Sequence, residues 1–87
     1  MSESHEVRLK RLKIRSWRRG TKEMDLILGP FFDHAGQDLS MDALNAYERL
    51  LGENDQDLYV WFSGQAAMPE EHTDIILQIQ QARENDT

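Results

Sequence analysis

The sequence predicts an all-α fold, a small single-domain bundle of about five short helices, and three observations carry that reading. Apolar residues recur at helical spacing in several separate stretches, Ser, Thr and Asn stand where N-caps belong, and Gly or Pro punctuates the intervals. No stretch has an evident strand partner. The 87 residues form one domain, with residues 1–6 and 83–87 expected to fray as tails. Area scaling gives roughly 5,300 Å² exposed when folded against roughly 14,800 Å² for the extended chain, so about two thirds can be buried without metal or disulfide.

The first element is the least distinct. Val7, Leu9, Leu12, Ile14 and Trp17 alternate with Arg8, Lys10, Arg11, Lys13 and Arg15. Residues 12–17 fit a strand, whereas Leu9, Leu12 and the flanking cations suit a helix. A helix of about three turns is favoured because no second strand exists to pair with it. Thr21 is an N-cap for the second helix, with Glu23 and Asp25 in the first turn, where the dipole favours anions. Met24, Leu26, Ile27, Leu28, Phe31 and Phe32 then form an almost continuous apolar block suited to a central helix. Gly29-Pro30 interrupts it, and a kink or early termination is expected there.

Residues 33–39 read as a loop. Ser40 caps the third helix, with Leu44, Tyr47, Leu50 and Leu51 on one face and Gly52 as its stop. Asn54 or Asp55 opens a short fourth helix holding Leu58, Tyr59, Trp61 and Phe62, which ends at Ser63-Gly64. The aromatics Tyr59, Trp61 and Phe62 are expected in the core. Pro69 begins the fifth helix, followed by Glu70 and Glu71, and Ile75, Ile76, Ile79 and Ala82 recur at helical spacing.

Composition excludes several function classes. The chain has no cysteine, so thiolate nucleophiles, zinc-thiolate sites and disulfides are ruled out. No apolar run is long enough to span a bilayer, so no direct membrane insertion is expected. Glu3 and Glu6 argue against reading the basic N-terminus as a transit peptide, and a cytoplasmic protein is expected. His5, His34 and His72 are too far apart to suggest a ligand set, and Asp33-His34 reads as a pair of solvated loop residues. Asp55 and Asp57 lack the glycine and glutamate of a calcium loop, so capping explains them better. No phosphate-binding glycine loop or nucleophile elbow occurs. No catalytic, cofactor-binding or metal-ligating residues are therefore assigned, and an enzyme is not expected.

Charge is sharply divided. Residues 1–22 carry eight Lys/Arg against two Glu, near +6, while residues 23–87 stand near −12, giving the net −6. The division suggests a small basic face for an acidic partner. Nucleic acid is disfavoured because the acidic body repels phosphate and only Trp17 interleaves the cations. At the boundary lies Arg19-Gly20-Thr21-Lys22-Glu23. Capping alone can explain it, with Gly20 as a left-handed stop, Arg18 and Arg19 at the negative end of one dipole, and Thr21 and Glu23 opening the next helix.

Residues 15–31, Arg-Ser-Trp-Arg-Arg-Gly-Thr-Lys-Glu-Met-Asp-Leu-Ile-Leu-Gly-Pro-Phe, resemble the signature of the succinate dehydrogenase flavinylation factors. The family's Arg-Gly-x-x-Glu motif is present as Arg19, Gly20 and Glu23. Phe31-Phe32-Asp33, Tyr47-Glu48-Arg49-Leu50-Leu51, Asp57-Leu58-Tyr59-Val60-Trp61 and the Gly64-to-Pro69 connection are similar to further family segments. The resemblance spans roughly residues 8–80 and is nearest to alphaproteobacterial members, which share the Trp17 and Gly29-Pro30 context. It implies an assembly factor that binds the immature flavoprotein subunit of succinate dehydrogenase, and in some bacteria of fumarate reductase, and promotes covalent attachment of FAD to it. FAD would be attached to the partner, with no cofactor bound stably by this chain, which is expected to be a monomer. By the same resemblance Arg19 would contact partner carboxylates or carbonyls, and Gly20 would allow close backbone approach. Glu23 would meet a partner cation or orient Arg19, and Arg15, Trp17 and Arg18 would flank that contact. An antitoxin-like or general interaction module using the same basic face is the alternative.

Overall fold

The computed structural model describes residues 3–85. α1 (His5–Trp17) opens on Ser4, whose hydroxyl accepts from the Val7 amide at 3.1 Å. The predicted helix is thus present, and it starts within the stretch expected to fray. Thr21 caps α2 (Lys22–Ala35) by accepting from the Met24 amide, and Ser40 caps α3 (Met41–Leu51) by accepting from Ala43. Asn54 caps α4 (Asp55–Phe62) through the Asp57 amide at 2.9 Å. α5 (Glu70–Asn85) starts after Pro69 and extends two residues past Arg83, where fraying was expected. Among the described residues no strand occurs.

Two expectations for α2 are corrected. The helix neither ends nor breaks at Pro30 but runs to Ala35, and a short 3-10 turn, Gly36–Asp38, follows. Residues 33–35, expected in a loop, are therefore helical. Pro30 deletes the amide that would bond the Leu26 carbonyl, and Leu26 is exposed, so water can take that place. An interior proline costs about 3 kcal/mol. Continuing the helix buries Phe31 and Phe32 against Tyr47, with ring centroids at 5.7 and 5.0 Å. Each buried aromatic is worth about 1.5–3 kcal/mol, which offsets the loss.

α2 is the central helix, packed against α1, α4 and α5. Its Met24, Ile27, Leu28, Phe31 and Phe32 meet Leu12 of α1, Leu44, Tyr47, Leu50 and Leu51 of α3, Leu58 and Phe62 of α4, and Ile75, Ile76 and Ile79 of α5. Tyr47 is fully buried, and its hydroxyl lies within hydrogen-bond distance of the buried Ser16 hydroxyl and the Leu28 carbonyl. Of the three α4 aromatics expected inside, Phe62 is buried, Trp61 is partly buried and Tyr59 is exposed. Leu58 and Phe62, four residues apart, take the inner face and turn Tyr59 outward.

Candidate functional site

The Arg19–Glu23 segment forms the corner between α1 and α2. Its geometry differs from the glycine-stop reading: Gly64 is the only described residue with a positive φ, at 82°, so Gly20 is not left-handed. Carboxylates hold the turn instead. The Arg19 amide donates to Asp25 Oδ1 at 2.6 Å, and the Thr21 amide donates to Asp55 Oδ2 at 2.8 Å. A Cβ on Gly20 would stand 3.2 Å from Asp55 Oδ2, which is tight but relievable.

Arg19 reaches across to the α3–α4 connection. Its Nε donates to Asp55 Oδ1 at 2.8 Å, Nη1 to the Leu51 carbonyl at 2.8 Å, and Nη2 to the Glu53 carbonyl at 2.7 Å. Side chains of both partners in the ion pair are about nine-tenths buried, at 11% and 10% exposure. Burial would push the Asp55 carboxyl up, but hydrogen bonds from Arg19 and from the Thr21 and Gly20 amides hold it below its ordinary value. Asp55, not Glu23, therefore orients Arg19. Sequence reasoning treated Asp55 only as a capping acid. The available signal was an arginine beside a tight turn, since a guanidinium drawn inward requires a carboxylate.

The other corner residues face outward to different degrees. Glu23 is exposed and lines, with Thr21, Asp55, Gln56, Tyr59 and Val60, a groove of about 550 Å³. Arg18 is exposed, whereas Arg15 is half-buried and donates to the Leu51 carbonyl at 3.1 Å. The Trp17 indole lies over Gly29, where any Cβ would overlap the ring, and its Nε1 donates to Asp33 at 3.2 Å. Asp33 and His34 both lie in the last turn of α2, exposed, rather than in a loop.

His72, unremarkable by spacing, is buried. Its Nε2 lies 2.9 Å from Glu53 Oε2 and 3.6 Å from Glu71 Oε1, and its ring centroid is 5.7 Å from that of Trp61. Glu53, Glu71 and His72 form the one group among the described residues whose donor atoms, within 4.8 Å of each other, could close on a metal. Its visible role is to tie α5 to the α3–α4 connection. Among the described residues no helix is long and apolar enough to cross a membrane.

Residues 10–83 match the family described as flavinator of succinate dehydrogenase. The chain belongs to this family. A relative named succinate dehydrogenase assembly factor 2, mitochondrial, from Schizosaccharomyces pombe is 37% identical over 68 residues, covering 78% of this chain and 49% of that protein. The FAD assembly factor SdhE of Shewanella oneidensis is 40% identical over 53 residues, covering 61% of this chain and 65% of its own. The SdhE protein of Colwellia psychrerythraea is 34% identical over 62 residues, covering 71% and 68% respectively. The chain thus spans about half to two thirds of the length of these relatives. The family match favours the flavinylation reading over the antitoxin-like one. The Arg19–Glu23 corner falls wholly inside the matched region.

Proposed function

We propose that this flavinator-family chain docks on the immature flavoprotein subunit of succinate dehydrogenase, or of fumarate reductase where present, and promotes covalent attachment of FAD to it. The chain acts as a cytoplasmic monomer, holds no FAD of its own and performs no covalent chemistry. Both reacting groups belong to the partner, so what the chain contributes is orientation, which can be worth several kcal/mol of barrier.

The observation that carries this reading is the braced corner. Arg19 and Asp55 lock α1, α2 and the α3–α4 connection together, which leaves a rigid edge with Glu23 exposed beside an open groove. In this arrangement Arg19 shapes the docking surface from behind, while Gly20 keeps it free of side-chain bulk. Glu23 meets a partner cation or amide, and Arg18, Trp17 and Arg15 flank the contact. A rigid mount limits the ordering cost of binding.

The test is in-gel flavin fluorescence of the partner subunit made with the chain, without it, and with Glu23→Ala. Glu23 has only its helix-dipole position to lose, so folding stability should fall by less than about 1 kcal/mol. Covalent flavin should nevertheless drop to the level seen without the chain. Equal covalent flavin with and without the chain would sink the proposal. Loss of folding in Glu23→Ala would return the corner to a purely structural role.

A further inference from the structure

A basic surface lies on the α1–α3 face, beside the corner and sharing no lining residue with the Glu23 groove. A groove of about 500 Å³ there is lined by Arg8, Arg15, Asn45, Glu48, Arg49 and Gly52. Three guanidiniums share it with one carboxylate, and that carboxylate is already committed. Glu48 pairs with Arg8 at 2.9 Å and Arg11 at 3.0 Å, and the Arg11 hydrogen bond holds its carboxyl below the ordinary range despite partial burial. Arg8 is fixed further by Asn45 Oδ1 at 2.8 Å, with its side chain only 17% exposed. Arg15 commits a single nitrogen, to the Leu51 carbonyl. The Arg49 side chain is exposed and makes no hydrogen bond or ion pair among the described residues. The C-terminal carbonyls of α3 add about half a negative charge at Leu51 and Gly52, so the lining keeps a net positive charge of about one to two. Elsewhere, from residue 23 on, the only other cationic side chain besides the histidines is Arg83.

We propose that this groove is a carboxylate-binding site that takes an extended acidic segment of the flavoprotein subunit, as a second contact beside the corner. The proposal rests on the docking reading above. Spacing favours several carboxylates over one phosphate: Arg8 and Arg15 are seven residues apart on α1, about 10 Å along its axis. Three residues of extended chain also span about 10 Å, so carboxylates at that interval would meet both arginines. Arg49 offers its whole planar fork to a carboxylate edge, and Arg8 and Arg15 add their uncommitted nitrogens. Screening confines the repulsion of the acidic body to about 8 Å at physiological salt, which leaves the groove locally attractive.

Calorimetric titration of the full chain with the immature flavoprotein subunit tests this, using Arg49→Glu, Arg49→Lys and Gly20→Arg, each checked for fold by circular dichroism. Arg49→Glu should weaken binding tenfold or more and flatten its salt dependence, while Arg49→Lys, which keeps the charge but loses the planar fork, should fall between Arg49→Glu and the parent. Arg49→Glu binding like the parent, with Gly20→Arg still impaired, would overturn the groove and leave the corner standing. No binding by the parent chain would overturn the docking reading and the occupant assigned here. Titration with a hexaglutamate peptide, followed by amide NMR, then separates the two. Shifts at Asn45, Glu48 and Gly52 that Arg49→Glu abolishes uphold the carboxylate site itself, and their absence overturns it.

Discussion

Arg19 and Asp55 show how one ion pair does work that a glycine was expected to do. Its Coulomb gain is set against desolvation of both ions, and the three further bonds, to the Leu51 and Glu53 carbonyls and from the Thr21 amide, tip the balance. Removing one partner strands the other nearly out of water. Asp55→Ala should therefore cost about 2–3 kcal/mol, between the values for exposed and buried pairs, and lower Tm by about 8–20 °C. Thermal unfolding followed by circular dichroism checks this, and a loss below 1 kcal/mol would show the bracket to be ornamental. The same pair dictates a pH response. Because the folded-state value of Asp55 lies below its ordinary 3.8, its contribution is complete above that value and is lost as pH falls through the folded-state value. Urea midpoints should fall more steeply below about pH 4 in the parent than in Asp55→Asn, whose residue 55 no longer titrates. Why this partner was not legible is equally physical. An acid in a helix first turn satisfies the dipole wherever the helix goes, so the pattern Asn54-Asp55-Gln56-Asp57 explains itself locally. Only the fold brings residue 55 to residue 19. His72 was hidden for a similar reason: the capping glutamates beside it masked a ring that burial aims at Glu53.

Element boundaries were largely legible because caps are chemically local. Ser40, Thr21 and Asn54 each need only the amide three residues ahead, and each makes that bond. Pro30 was misjudged because its cost is local while the compensation, Phe31 and Phe32 stacking near Tyr47, is tertiary. Gly29 has the opposite logic. A glycine inside a helix costs about 0.8–1 kcal/mol against alanine, yet here it admits the Trp17 indole onto the α2 backbone. The contact sets how closely α1 packs on α2, and thus where the corner between them points. Gly29→Ala should lower stability by about 1–3 kcal/mol, since the new methyl must displace the ring. In a Trp17→Ala background the obstacle is gone, and the same substitution should raise stability by about 0.5–1 kcal/mol through helix propensity alone. A urea double-mutant cycle measures the reversal. Stabilisation of similar size in both backgrounds would mean that Gly29 is not there for Trp17.

Across the whole molecule the charge division was visible in the sequence, but its structural use was not. A segment near +6 beside a body near −12 reads as an exposed basic face. In the fold much of that charge turns inward to hold α1 against the body. Arg8 and Arg11 reach Glu48, Lys13 reaches Asp33 at 3.8 Å, and Arg19 reaches Asp55. What this segment keeps for a partner is narrower: Arg18, Lys22 and part of Arg15, with Lys10 and Lys13 in exposed pairs at 3.9 and 3.8 Å. Salt should therefore act on two opposed terms. It weakens the partly exposed pairs that fasten α1, and it relieves the mutual repulsion of the acidic body formed by α2 to α5. The first term is local to α1, and the second is spread over the other helices, so they can be read separately. Raising NaCl from 20 to 500 mM, roughly a fivefold shortening of the Debye length, should speed amide exchange in α1 a few-fold. Amides of α3 and α5 should hold steady or slow over the same range. The buried Arg19–Asp55 bracket resists screening, so the opening should begin at the His5 end and leave the corner protected. Uniform acceleration of α1, α3 and α5 would mean that the ion pairs contribute to global stability alone and do not fasten α1 as a separable unit.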